Sequence, residues 1–534
     1  MNYHTKIMLL ALCITPHMLA DVQVDTIIDF PLRGSSFLSF RSQSTNAAQE
    51  LVGWRDLINL YGQCGWYGAF AVTPTYGQSY RPARIAEYFF GVDTFRVTGS
   101  QVPNRKDTDM LADYFGLSPD FVSTVQLVPY MTNGYVDFNI YAGYKDLFFR
   151  IHAPVVWTST RISVKETVEQ ERVTIPFPPF YMASGPVAPG AASWEQALRG
   201  GITFGDVVEG INFGRISCDS QHRRGLSDIQ AAFGWNFYNR DWAHMGLEVR
   251  ASFPTGTRPT SNYLFEPIVG NGKHFELGIG FTSHALVWER DCYQSVSVYT
   301  DINVMHLFAS RQRRSFDFIP LICPDFSNAY RTASRYILLK EFDEQGIYTG
   351  RSFPAINRTT LESKVWADVQ MDLAIMIAFT SNSFGLDLGY GAWIRSREKI
   401  KLLEGLPERR YALKGIQNVT TGIGNLPSNA TQSRATIYGN EFIFQAEVAD
   451  LNPPVFVGTC DLDLDSAANP STFTHKLFWN LSYAWNPTDT RSVVPFVGVG
   501  GEVDFESLRP RRYIRPNKNS VSEWLLWFKG GMGF

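Results

Sequence analysis

The stretch YVDFNIYAGYKDLFFRIHAPVVWTST, residues 135–160, decides the fold. Val136, Phe138, Ile140, Ala142 and Tyr144 interleave with Tyr135, Asp137, Asn139, Tyr141 and Gly143. That period of two puts most large apolar groups on one face of a strand and the polar groups on the other. Tyr144-Lys145-Asp146 then reads as a tight turn. After it, Phe149, Ile151, Ala153, Val155 and Trp157 share one face while Arg150, His152, Thr158 and Thr160 share the other, which completes a β-hairpin.

The pattern recurs outward from this hairpin. Ile229, Ala231, Phe233, Trp235 and Phe237 lead through Asn239-Arg240-Asp241 into Met245, Leu247, Val249, Ala251 and Phe253. Phe275 to Phe281 pairs with Val296 to Val304, and Val369 to Ile377 pairs with Phe384 to Tyr390 across Ser381-Asn382-Ser383. Leu477 to Trp485 pairs with Val497 to Phe505 across Asn486-Pro487-Thr488-Asp489. Long polar or Pro/Gly-rich stretches separate these hairpins, at 165–226, 254–272, 310–363, 398–472 and 506–520.

Short turns on one side and long loops on the other are how transmembrane barrels are built. With a strand near Trp66 to Thr73 and a last strand from Ser522 to Phe534, the expected fold is all-β: a transmembrane antiparallel up-and-down β-barrel of about twelve strands. Segments 84–101 and 438–448 would make fourteen. Composition agrees, with 19% charged residues against about 25% in soluble domains. A soluble β-sandwich also alternates, but its strands are shorter and its closed core would not hide the charges seen on these polar faces.

Residues 1–20 carry Lys6, an apolar run from Ile7 to Ile14, Pro16 and Ala20, the layout of a cleaved secretory signal. The run is shorter than the roughly 20 apolar residues a membrane helix needs. Leu12 before Cys13 argues against lipid attachment there. Residues 21–63 form an N-terminal extension, and 64–534 the barrel. Asn46 with Gln49 reads as a helix-starting box, and Leu51, Trp54, Leu57, Ile58 and Tyr61 fall near one helical face. A short helix in the lumen as a plug is one reading; a periplasmic extension or a helix on the rim is the plainer one. The five cysteines after the signal, Cys64, Cys218, Cys292, Cys323 and Cys460, are an odd number and too dispersed for a zinc site.

The final segment, with Trp524, Leu526, Phe528, Met532 and Phe534 at alternate positions, resembles the C-terminal assembly signal of Gram-negative outer-membrane β-barrel proteins. Gly530 departs from it, since a bulky residue is usual there. The resemblance implies insertion by the barrel-assembly machinery and contact with outer-membrane lipid and lipopolysaccharide. A second likeness, over Gly225 to Gly256 with its Phe253-Pro254-Thr255-Gly256 exit, is to barrels for uptake of hydrocarbons and aromatic compounds.

No catalytic, cofactor-binding or metal constellation announces itself. His152, His244, His274 and His284 fall on inward faces where polar residues are expected anyway, and Ser283 points away from His284. Asp461, Asp463 and Asp465 have calcium-loop spacing, but Ser466 and Thr472 stand where that loop needs glycine and an acid. The basic clusters Arg311, Arg313, Arg314 and Arg509, Arg511, Arg512, Arg515, Lys518 read as solvated outer loops or contacts to anionic lipopolysaccharide. A net charge of -3 gives no reason to expect nucleic acid.

The inward faces carry Asp137, Asp228, Glu248, Glu276, Asp301, Asp368, Asp372, Asp387, Glu502 and Asp504 against Arg150, Arg250, Lys476 and Lys529, a lumen of about -6. Two functions follow. One is a porin-like channel for ions or small solutes, weakly cation-preferring. The other is a structural or surface-interaction barrel with a closed lumen, whose long loops bind a partner.

Overall fold

The computed structural model describes residues 34–103, 105–106, 109–169, 175–177, 181–182, 187–290, 293–319, 333–346, 348–414, 455–485, 493–506 and 521–534. Residues 1–20, segment 438–448, the turn Asn486–Asp489 and the cluster Arg509 to Lys518 lie outside the described residues.

Twelve antiparallel strands close into a barrel. In chain order they are β1 (Trp66–Ser79), β2 (Val122–Tyr144), β3 (Leu147–Val168), β4 (Ile229–Arg240), β5 (Ala243–Phe253), β6 (Glu276–Arg290), β7 (Gln294–Ser315), β8 (Thr360–Ser381), β9 (Phe384–Arg395), β10 (Thr472–Ala484), β11 (Val494–Glu506) and β12 (Glu523–Gly533). Neighbours in sequence are neighbours in the sheet, and β12 pairs with β1 to close it, Phe70 opposite Met532 and Thr75 opposite Trp527. Closure removes every free edge within the membrane span, where an unpaired backbone group would cost several kcal/mol. Segment 84–101 is not a barrel strand: it forms helix α2 (Pro82–Phe90) and a short strand, Thr94–Thr98, laid on the outer end of β2.

The exterior is apolar. Ile279, Val249, Ile377, Leu388 and Phe528 each keep more than half of their surface exposed, and together with their outward neighbours they form a belt. Such an expanse far exceeds the apolar patches a soluble monomer leaves in water, and it faces lipid. At the short-turn end the belt is edged by Trp66, Trp235, Trp288 and Trp485, with the Trp66 ring tilted against Tyr144 at 5.2 Å. Aromatic rings of this kind settle at the membrane–water boundary.

β2, β3, β7 and β8 run to 22 or 23 residues, about twice what a tilted strand needs to cross a bilayer. Their outer ends rise beyond the belt and carry a cap made from the long connections. The cap has its own apolar core, including Phe89, Phe115, Trp194, Phe204, Phe316, Tyr336, Leu338 and Ile356. A four-stranded sheet of Leu338–Phe342, Tyr348–Pro354, Tyr411–Leu413 and Phe456–Val457 stiffens it.

Candidate functional site in the barrel lumen

The lumen is occupied by residues 34–60. The segment starts in the cap, where Ser35 N–H donates to Tyr88 O and Ser36 N–H to Ser466 O. It ends at the opposite mouth, where the Asn59 N–H donates to Tyr141 Oη and the Asn239 side chain donates to Leu60 O. At mid-depth it forms helix α1 (Ala47–Leu51), started by the Asn46 side chain, which accepts from Gln49 N–H at 3.2 Å.

The two sides of this segment meet the wall differently. Ala47, Ala48, Leu51 and Val52 pack against Ala374, Met376 and Ala378 of β8, Phe478 of β10, and Leu525 and Trp527 of β12. The small alanines allow the helix to approach the sheet closely. On the other side Glu50 is held by Arg250 of β5 at 2.9 Å, and Arg250 also reaches Glu248 at 2.8 Å. Beside this cluster lie two voids of about 10 Å³ each, the room of a single water. Arg150, His152 and Trp54 line one, Asn303, Glu276 and Asp372 the other, and Glu50, Gln230 and Arg250 line both. Among the described residues, 34–60 thus fill the lumen beside these voids, and the Glu50–Arg250 pair stands between the two.

Nine of the ten acids expected inward do face the lumen: Asp137, Asp228, Glu248, Glu276, Asp301, Asp372, Asp387, Glu502 and Asp504 are all buried. They are engaged rather than free along an open bore. Arg41 of the lumen segment reaches Glu502 at 2.7 Å, Asp504 at 3.1 Å and Glu523 at 3.7 Å. Arg150 pairs with Asp301, Lys476 with Asp372, and His152 lies 3.4 Å from Asp137. Asp387 accepts from Gly53 N–H, and Asp228 accepts from Ser42 and from Asn271 N–H. Lys529 donates to the carbonyls of Gln49 and Val52 and lies 4.4 Å over the Trp54 ring.

Asp368 is the correction. The β7–β8 pairing slips between Met305 and Ser310, so that Gln370 faces inward below the bulge and Ala367 above it. An extra residue in one strand reverses the faces beyond it. Asp368 is thereby turned outward, its side chain about half exposed and paired with Lys399 at 2.6 Å. The outer basic cluster divides by the same alternation: Arg311 and Arg313 point out, but Arg314 is fully buried, bonded to Gln312 and Ala467 O and stacked on Phe37.

Sequence reasoning did not find Arg41 or Glu50, because nothing in a serine-rich lead segment marks which polar residue will meet a wall; it also passed over Glu523, although the alternation of β12 turns it inward with Lys529. His244 and His284 face each other across β5 and β6 through their Nδ1 atoms, and His274 is taken up by Phe308 O and Gln312. No serine or cysteine hydroxyl or thiol among the described residues is hydrogen-bonded to these inward histidines. Asp461 and Asp463 accept from the Gly458 and Asp465 backbone, and Asp465 pairs with Arg397, so the three carboxylates do not converge. The Pro254-Thr255-Gly256 exit is braced on β4's start, with Thr255 Oγ1 donating to Ser227 O and Gly256 N–H to Asp228. In the cap, burial pushes the Asp113 carboxyl up to about 6 although Ser100 donates to it twice.

A closed twelve-strand barrel with an apolar belt, aromatic edges and a polar, charged interior defines an outer-membrane β-barrel. No protein-family model matches the chain, and no curated protein matches it. Among solved structures it is similar to an outer membrane channel from Pseudomonas putida F1, with 9% identity over 89% of this chain and 98% of that one and a TM-score of 0.35. It is also similar to a mutant of a monoaromatic hydrocarbon channel, with 8% identity over 96% and 99% and a TM-score of 0.30. A Pseudomonas aeruginosa FadL homologue follows at 7% identity over 88% and 90%, TM-score 0.26. Overlaps this loose carry nothing about cargo.

Proposed function

We propose that this chain is an outer-membrane channel for ions or small polar solutes, closed at rest by its own N-terminal segment, and that it is not an enzyme. The observation that carries the proposal is the two-sided seal. One side of α1 is anchored by apolar packing, while the other is held to the wall by Glu50–Arg250, a contact that water can replace as the segment shifts. Movement on that side joins the two small voids into one space running from β2 and β3 past β4 and β5 to β8. Their polar lining favours a polar cargo over a hydrocarbon. The excess of inward carboxylates supports a weak cation preference once the path is open.

The layout of residues 1–20 supports export through a cleaved signal, and the alternating C-terminal strand supports recognition by the barrel-assembly machinery. A second reading, a closed scaffold presenting its surface to a partner, is favoured by the cap's continuous apolar core. Planar-bilayer recording separates the two. A channel gives openings in the full chain that become frequent and cation-preferring when residues 34–60 are deleted. A folded, inserted protein that stays silent in both forms supports the scaffold.

A further inference from the structure

Beyond the barrel's rim, β7 and β8 continue together, and the segment Glu398–Leu402, which prolongs β9 after a break, pairs with β8. The registers place Arg311 opposite Lys364 and Lys364 opposite Lys401. Three cations thus stand in one row across three adjacent strands, all exposed and all on the outer face, since Gln312 and Val365 to either side are buried. Like charges directly opposite in a sheet destabilise it. Glu362 offsets part of this by meeting both Arg311 at 3.1 Å and Arg313 at 3.4 Å, and Asp368 pairs with Lys399. Lys364 and Lys401 have no carboxylate within salt-bridge distance among the described residues.

The row is also placed with respect to the membrane. Below it on the same face come Trp366 and the Lys399–Asp368 pair, then Phe308 and Val369 and, further down, Ile377 of the lipid-facing belt. Cations at the upper boundary of an apolar belt meet the headgroups of the outer leaflet, where each is worth about 1 kcal/mol against an anionic surface. A guanidinium and two ammonium groups aligned at one height match the phosphates of a single headgroup. We infer that Arg311, Lys364 and Lys401 form a binding site for a phosphorylated glycolipid of the outer leaflet, seated with its acyl chains on the belt below. The inference rests on reading the belt as membrane-embedded and is independent of whether the lumen conducts.

The test is binding of bis-phosphorylated lipid A to the full-length protein in neutral detergent, read by native mass spectrometry and titration. The wild type is expected to hold the lipid in a salt-sensitive manner. The variant with Lys364→Glu and Lys401→Glu is expected to bind about ten-fold or more weakly, with an unchanged circular-dichroism spectrum and unchanged heat-dependent electrophoretic mobility as evidence of an intact fold. Dephosphorylated lipid A is expected to lose the same increment, whereas inorganic phosphate alone does not compete at millimolar levels. Equal binding by wild type and variant, equal binding of the dephosphorylated lipid, or full competition by inorganic phosphate would each overturn the inference.

Discussion

The cap and the lumen are both buried, yet apolar packing dominates the first and ion pairs the second. In the cap, Trp194 sits among Phe90, Phe95 and Phe115 with ring centroids 5.3 to 6.1 Å apart, in an apolar cluster that outweighs the few buried ion pairs there, Arg335–Asp317 and Lys414–Asp206. In the lumen, Arg41, Arg150, Arg250, Lys476 and Lys529 lie fully or nearly fully buried against carboxylates and carbonyls. An apolar core resists water because opening it exposes surface at about 25 cal/mol per Å². A buried ion pair gains little over its hydrated state, since desolvation offsets most of the attraction. The cap is thus built to stay shut and the lumen to exchange its contacts for water.

Substitutions sharpen or break this contrast, the largest first. Trp194→Ala is expected to cost the cap about 3–5 kcal/mol. Hydrogen exchange should then rise across the cap while residues 46–54 keep their protection; joint loss would show that cap and lumen open as one unit. Arg250→Ala leaves Glu248 buried without its guanidinium and Glu50 with His152 at 3.5 Å, a penalty of about 3–5 kcal/mol. Here exchange should rise at 46–54 with the cap unchanged, and adding Glu50→Gln should restore part of the loss.

Asp113 gives the cap a pH dependence. Its carboxyl sits at about 6 in the fold against 3.8 ordinarily. The folded cap therefore binds the additional proton between those values, so its stability is full below about pH 4 and declines as pH rises towards 6. Two units correspond to at most about 3 kcal/mol. Asp113→Asn should flatten cap unfolding between pH 4 and 6, and an unchanged slope would assign the dependence elsewhere. The smallest effect belongs to Asn46→Ala, which removes the α1 cap and should loosen that helix by about 1 kcal/mol, visible as faster exchange at Gln49.

Much of the barrel was legible because lipid outside and water-compatible groups inside enforce a strict period of two. Phe138 and Ile140 against Asp137 and Asn139 is that rule in four residues. The rule failed where the backbone departs from it: the bulge near Leu307 turned Asp368 outward, and no side-chain pattern announces a bulge. The long connections were legible as loops but not as a cap, because their apolar residues, such as Phe177, Trp194 and Tyr336, are spaced by chain reversals rather than by a helical or strand period. For the lumen segment, Asn46 and Gln49 announced the helix, yet its position depends on Arg41 and Glu50 finding partners hundreds of residues away.

The most direct test of the lumen's role as a movable closure is single-channel recording with α1 tethered reversibly to its wall. Ala48→Cys and Ala374→Cys lie in one buried cluster and accept a short reducible cross-linker, with Cys64, Cys218, Cys292, Cys323 and Cys460 replaced by serine. The account predicts that the cross-linked protein is silent and that reduction restores cation-preferring openings. Identical openings before and after reduction would contradict it, because the path would then bypass the segment.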